Sequence, residues 1–125
     1  MIKGMGQDLV EISRIQAALA KNERFARRIL TEAEWAYCQQ KGSPHASAAA
    51  RFAAKEACSK ALGTGIGPIS WQDMEVVMAP SGQPELKLCG RAGELAAQKG
   101  VAAIWLSLSH TQDYASAVVI LEGEI

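Results

Sequence analysis

The residues that could do chemistry here are few: Asp8, Glu56, Lys60, a glycine-rich loop at 63–67 and His110. Asp8 follows Gly4 and Gly6 at the end of an expected first strand. Glycines weaken a strand but let another backbone or a ligand come close. A carboxylate at a strand end points naturally into a cleft mouth; alternatively, Asp8 caps a helix starting near Leu9. Glu56 and Lys60 are four residues apart on an alanine-rich helix, so they share a face, with Ser59 beside them. Alone, that pair reads as an exposed ion pair worth about 0.3 kcal/mol. The loop Gly63-Thr64-Gly65-Ile66-Gly67 could gather backbone N–H groups around a phosphate. It follows a helix C-terminus, where the dipole does not favour an anion, and it fits neither the P-loop nor the dinucleotide fingerprint. By itself it is a helix cap and turn. His110 ends a strand whose Trp105, Ser107 and Ser109 share one face. His45 carries no assigned chemistry.

The elements that must position these residues are legible from periodicity and punctuation. A strand is expected over about 2–8 and a helix over 11–21, with Ile12, Ile15, Ala18 and Leu19 on one face. Residues 24–30 give one or two further helical turns. Thr31 with Glu34 three places on forms a capping box for a helix through Gln40. Residues 41–44 are a break. HASAAARFAAKEACSKAL, residues 45–62, has no interior Gly or Pro and is the strongest helix; Phe52, Ala49, Ala53 and Ala57 are expected on the side opposite Glu56. DMEVVMA and PELKLCG form a hairpin around PSGQ. A helix over 91–99 ends at Gly100, and two strands, AAIWLSLSH and YASAVVIL, flank a turn at Thr111–Asp113. The order predicts one α+β domain over residues 1–125, with a small antiparallel sheet packed on a long central helix.

At 125 residues the chain can bury one real core and not two. Hydrophobic residues make up 49%, which argues against disorder. Long uncharged stretches are broken by Gly, Pro, Ser or Gln, so no membrane span is expected. The opening MIKGMGQDLVEI lacks a basic stretch leading into a long apolar run, so no signal peptide is expected. Three widely spaced cysteines, Cys38, Cys58 and Cys89, fit reduced thiols in the cytosol. Net charge is zero, which disfavours a nucleic-acid partner. Residues 1–30 nevertheless hold six basic side chains, Lys3, Arg14, Lys21, Arg24, Arg27 and Arg28, against Asp8, Glu11 and Glu23. That excess suits an acidic partner, or else a solvated helix face.

Three segments coincide in order and spacing: GQDLVEISRI at 6–15, RFAAKEACSKALG at 51–63 and LSLSH at 106–110. Together, and with the chain length and the SGQP turn at 81–84, the sequence resembles the holo-acyl-carrier-protein synthases, the short class of phosphopantetheinyl transferases. The resemblance runs over essentially the whole chain. It implies a compact phosphopantetheinyl transferase fold assembled as a homotrimer with sites at subunit interfaces. It implies transfer of the 4′-phosphopantetheine arm of coenzyme A to a serine of an apo-acyl carrier protein, with magnesium as cofactor.

Residue by residue, Asp8 and Glu56 match the family's metal ligands, and Lys60 the lysine on the phosphates. Arg14 matches a carrier-protein contact, and His110 a position near the nucleotide end of coenzyme A, contributed across an interface. Magnesium takes hard oxygen ligands, usually one or two carboxylates plus phosphates and water, which suits Asp8 and Glu56. Glu56, directly or through water, is the expected base for the carrier serine, and Lys60 the group that meets the leaving phosphate. Gly63, Gly65 and Ser109 join Lys60 and His110 as expected coenzyme A contacts. The carriers are acidic, so Arg14, Lys21, Arg24 and Arg28 are the expected docking residues. A non-catalytic module binding coenzyme A or a carrier would have no need of both carboxylates. Trp105, Leu106, Val118, Val119 and Ile120 exceed what one small core needs and are expected to supply part of a subunit interface.

Overall fold

Alanine decides the architecture. The segment rich in it forms the longest helix, α4 (Pro44–Leu62), with proline at the first position, where no N–H is needed, and Gly63 at φ +84° ending it. Ala48, Ala49, Ala53, Ala54 and Ala57 are wholly buried, so neighbours approach α4 from most directions and it runs through the core. The computed structural model describes residues 1–125. Before α4 come β1 (Ile2–Glu11), α1 (Ile12–Lys21), α2 (Glu23–Ile29) and α3 (Glu32–Gln39). After it come a 3₁₀ turn (Trp71–Asp73), β2 (Met74–Met78), β3 (Pro84–Leu88), α5 (Gly90–Gln98), β4 (Val101–His110) and β5 (Tyr114–Gly123). No helix is long and apolar enough to cross a membrane.

Two antiparallel sheets form where one was expected: β1-β5-β4 and the separate hairpin β2-β3. In the first, Gly6 pairs with Val119 and Asp8 with Ala117, while Leu106 of β4 pairs with Val119. Gly6, Val10, Ala115, Ala117, Val119, Leu121 and Leu106 are buried on the face toward α4. The alternating residues Met5, Leu9, Trp105 and Tyr114 are exposed on the other face. The expected interface set is therefore corrected. Leu106 and Val119 belong to the core, whereas Trp105, Val118 and Ile120 lie on the outer face beside Met5 and Leu9.

The first strand is longer than expected. β1 continues past Asp8 to Glu11 because β5 pairs with it along its length, and Ile12 N–H donates to Asp113 O at 2.8 Å at the strand's end. Asp8 is thus an inward-facing residue within the strand, not a strand end and not a helix cap. Glu11 occupies the cap position of α1 without a side-chain bond.

The expected capping box at Thr31 and Glu34 is present. Glu34 does more than cap. Its Oε1 accepts from Thr31 N–H at 2.8 Å and from Lys55 Nζ at 2.6 Å, and its Oε2 accepts from Val76 N–H at 2.7 Å. Lys55 also donates to Ile29 O at 2.7 Å and Trp71 O at 3.2 Å. Both side chains are fully buried, and all three ammonium protons have partners. One ion pair thereby joins α2, α3, α4, the 3₁₀ turn and β2.

The strand β1 lies unusually close to α4. A Cβ on Gly6 would stand 2.0 Å from Ala57 O and 2.9 Å from Ala61 N, and one on Gly4 2.2 Å from Ala61 O. These are backbone atoms, so a side chain there must push strand and helix apart. Gly6→Ala is expected to destabilise the protein by about 1–3 kcal/mol in urea denaturation. A midpoint and slope equal to those of the parent chain would show that the strand and helix do not touch in this way.

Candidate active site

The close approach of β1 to α4 brings Asp8 beside Glu56 and Lys60, although about 50 residues separate them in the chain. Lys60 Nζ lies 3.2 Å from Asp8 Oδ1 and donates to Gln7 O at 2.9 Å. The Lys60 side chain is 52% exposed and Asp8 17%, so the lysine reaches across the rim while the carboxylate sits within. The i,i+4 ion pair between Glu56 and Lys60 does not form; Lys60 pairs with the strand instead. Glu56 is half-buried. Burial lifts its carboxyl above the ordinary carboxylate range, the nearby charge of Asp8 lifts it further, and Lys60 opposes both.

These three residues line a cleft of about 460 Å³ together with Arg14, Ile15 and Ala18 of α1, Phe25 of α2 and Phe52 of α4. Phe52 therefore shares the face of Glu56 and Lys60, as spacings of four require. At about 100° per residue Ala49 and Ala53 also turn toward Glu56, and Ala57 packs against Gly6 of β1 beside the cleft, so none of the four lies opposite Glu56. Its ring stacks on Trp71 at 5.0 Å and lies 6.4 Å from Phe25.

Arg14 opens on this cleft, and Lys21, Arg24 and Arg28 continue as exposed residues along α1 and α2. None of them is in an ion pair. The pairs that form are Lys55–Glu34, Lys60–Asp8 and Arg91–Glu94. The basic excess of the first 30 residues is thus a free positive surface and not a set of internally neutralised bridges.

The glycine loop is a helix cap first. Gly63 N–H donates to Lys60 O at 3.0 Å, and Thr64 and Gly65 N–H both donate to Ser59 O, at 3.1 and 3.2 Å. Gly63 and Gly65 have positive φ, +84° and +66°, which only glycine adopts freely. Those amides therefore face the end of α4. What the loop offers a ligand is its uncluttered surface beside Lys60.

Ser109 and His110 do not join the first cleft. They line another, of about 270 Å³, with Tyr37, Met78, Pro84 and the α4 residues Ala46, Ser47, Ala50 and Arg51. At about 100° per residue, Ser47 and Arg51 lie on roughly the opposite side of α4 from Glu56 and Lys60. Arg51 received no role in the sequence. It is only 4% exposed, yet its Nε has no hydrogen-bond partner. Its guanidinium donates to Ser47 O at 3.1 Å and stacks 4.5 Å from the centre of the Tyr37 ring. The available signal was spacing: Arg51 stands four residues before the buried Lys55, on its side of the helix and not on that of Glu56.

Two carboxylates converge in the first cleft with no third acidic, histidine or cysteine ligand grouped with them. Burial first, and then the nearby charge of Asp8, raise the Glu56 carboxyl, and a divalent cation between the two carboxylates would offset both. A site with two hard oxygen donors and open positions suits magnesium, which keeps waters and takes phosphate oxygens. It does not suit zinc, which takes three or four nitrogen, sulfur or carboxylate ligands. The residues present fit a magnesium ion.

A family model described as the 4′-phosphopantetheinyl transferase superfamily matches residues 4–119. The chain is 48% identical over 118 residues to the holo-[acyl-carrier-protein] synthase of Moorella thermoacetica, covering 94% of this chain and 92% of that one. Its fold matches the holo-[acyl-carrier-protein] synthase of Neisseria meningitidis with a TM-score of 0.89 and 37% identity, over 98% of this chain and 99% of the other. It matches that of Bacillus anthracis, solved in complex with CoA (3′,5′-ADP), with a TM-score of 0.82 and 40% identity, over 99% of both chains. Fold and identity over nearly the whole chain agree, and the chain belongs to the 4′-phosphopantetheinyl transferase superfamily.

Proposed function

We propose that this chain transfers the 4′-phosphopantetheine arm of coenzyme A to a serine of an apo-acyl carrier protein and releases adenosine 3′,5′-bisphosphate. The observation that carries the reading is the convergence of Asp8, Glu56 and Lys60 in one cleft that Arg14 also lines. Two carboxylates able to hold a divalent cation, with a half-exposed ammonium beside them, suit a pyrophosphate, and a free basic surface next to them suits an acidic protein substrate.

Asp8 and Glu56 would hold magnesium, which when bound supplies charge neutralisation on the pyrophosphate. Lys60 sits on a flexible stem at the cleft rim, so its ammonium can move from Asp8 onto the phosphate oxygens. Glu56 takes the proton from the carrier serine hydroxyl. Its half-buried carboxylate lies in the same cleft, within reach of a hydroxyl brought there directly or through water. The serine oxygen bonds to the phosphorus next to the pantetheine arm, and the bond from that phosphorus to the bridging oxygen breaks. The departing bisphosphate carries the new negative charge, which Lys60 neutralises. No residue of this chain is covalently modified.

The nucleotide end of coenzyme A falls to the second cleft, where Ser109, His110 and the buried, underused Arg51 offer donors to an anion. Because that cleft lies on the far side of α4, the proposed site is shared between neighbouring copies in a homotrimer. The outer sheet face with Met5, Leu9 and Trp105 supplies an apolar surface for assembly. The proposed home of the enzyme is the cytosol.

Intact mass spectrometry of an apo carrier incubated with the protein, coenzyme A and magnesium should show a gain of one phosphopantetheine, abolished by chelator. Asp8→Ala should cut the rate by about 100-fold or more, since oxyanion and charge stabilisation of this kind is worth that much. A non-catalytic binding module would leave the carrier mass unchanged in every sample. Arg51→Ala is expected to raise KM for coenzyme A by about 10-fold, the loss of one charge-assisted contact. An unaltered KM would remove Arg51 from the nucleotide subsite. In sedimentation at micromolar concentration the chain should run as a trimer, and a monomer would sink the shared site.

A further inference from the structure

We infer that Gln72, on the 3₁₀ turn and outside the lining of the cleft with Asp8, Glu56 and Lys60, is a positioning residue for recognition of the acidic carrier. Its carboxamide fixes the carbonyl end of α2 and thereby the arginines that α2 presents. The inference rests on the proposed docking of the carrier along α1 and α2.

The helix α2 has seven residues, too few to persist without support from outside. Its start is held by Asn22, whose side chain accepts from Arg24 N–H at 2.9 Å. Its end leaves carbonyls without helical partners. Gln72 Nε2 lies 2.7 Å from Arg27 O and 2.8 Å from Leu30 O, and 3.5 Å from Arg28 O. The two short contacts match the two protons of a primary amide. Lys55 takes the remaining neighbour, Ile29 O.

Basic side chains in a last helical turn commonly fold back onto those carbonyls themselves. Here an outside residue does so. Arg24, Arg27 and Arg28 make no ion pair and no side-chain hydrogen bond, and they stay exposed. Gln72 is itself held in place. Trp71 beside it stacks on Phe52 and accepts from Lys55 at its carbonyl, and Asp73 O accepts from Cys89 N–H at 2.8 Å. Its backbone is thereby tied to α4, the helix that carries Glu56, so the side chain sets α2 relative to the reacting groups.

Gln72→Met keeps the length of the side chain and removes both donors. Steady-state kinetics with apo carrier and coenzyme A should show KM for the carrier raised about 3- to 10-fold, the loss of one or two ordinary hydrogen bonds. Both kcat and KM for coenzyme A should stay within about twofold, because Phe25 still packs on Phe52. In an Arg24→Ala/Arg28→Ala background the same change should do little, since it acts through those arginines. Hydrogen exchange of the α2 amides should quicken while that of α4 holds. Gln72 is exposed, so folding is expected to survive; Gln72→Glu, which sets a carboxylate against the carbonyls, should act at least as strongly. A carrier KM equal to that of the parent, an effect that adds fully to the arginine variants, or a fall in kcat with a raised coenzyme A KM would each overturn the inference. If the arginine variants alone leave the carrier KM unmoved, the docking surface itself is wrong, and the role of Gln72 falls with it.

Discussion

Gly4 and Gly6 have no side chain, so the β1 backbone lies against the carbonyls of Ala57 and Ala61, at a separation any Cβ would disturb. Alanine on the helix completes the fit from the other side. The contact costs conformational entropy in the unfolded chain, since glycine is the freest residue there. What it secures is register. Gly6 sits against the turn of α4 that runs from Ala57 to Ala61, and Glu56 and Lys60 each immediately precede one of those two alanines. Asp8, two residues further along the same face of the strand, therefore arrives beside them. Larger residues at the contact would keep the fold class and lose the geometry, because the strand carboxylate would stand off from the helix.

A second constraint sits on another side of α4. Lys55 and Glu34 are both excluded from water, and burial pushes the Lys55 ammonium down from its ordinary value against the pull of Glu34. A buried ion pair is weak evidence for stability, since desolvation opposes the attraction. Here the pair is fully satisfied, with backbone partners from Ile29, Trp71, Thr31 and Val76 completing both groups. Such a network specifies arrangement more than it adds stability. The residue after Lys55 is Glu56, so the orientation that buries the lysine is the one that turns the glutamate into the cleft. Helical geometry makes one a condition of the other.

Local signals in the sequence carried much of the fold. The capping box at Thr31, the breaker at Gly63 and the alanine run each act within a few residues, and each appears where expected. The spacing of four also placed Glu56 and Lys60 on one face. What depended on distant partners was less legible. Asp8 looked like a strand end because Gly4 and Gly6 weaken a strand by themselves, but β5 pairs past them to Glu11. Leu106 and Val119 counted as surplus apolar residues until the pairing of β4 with β5 put them on the α4 side. The Lys60 ion pair went to the strand and not to Glu56, because closeness between β1 and α4 is a property of backbones that periodicity does not encode. Arg51 escaped for a related reason. Arginine in an alanine-rich helix reads as solvated, and only the packing of Tyr37 over it shows a buried guanidinium.

The two clefts on α4 set a problem of scale that bears on assembly. A helix with its side chains is roughly 10 Å across, and Lys60 and Arg51 project from nearly opposite sides of it. A ligand whose pyrophosphate joins a pantetheine arm to a 3′-phosphorylated nucleotide cannot set its pyrophosphate in one cleft and its nucleotide in the other cleft of the same chain without wrapping around α4, and α4 is packed on most of its surface. Each cleft taken alone is therefore half of the proposed site. Copies of the chain related by rotation can set the Lys60 cleft of one against the Arg51 cleft of the next, and a closed ring satisfies every half-site. The same rotation would turn the outer face of β1, β5 and β4 toward the symmetry axis or away from it. Met5, Leu9 and Trp105 on that face favour the first, since an apolar sheet face gains by meeting its symmetry mates. The proposed catalysis and the proposed assembly then rest on a single fact of the sequence, that α4 carries polar and charged side chains on two sides and small residues between them.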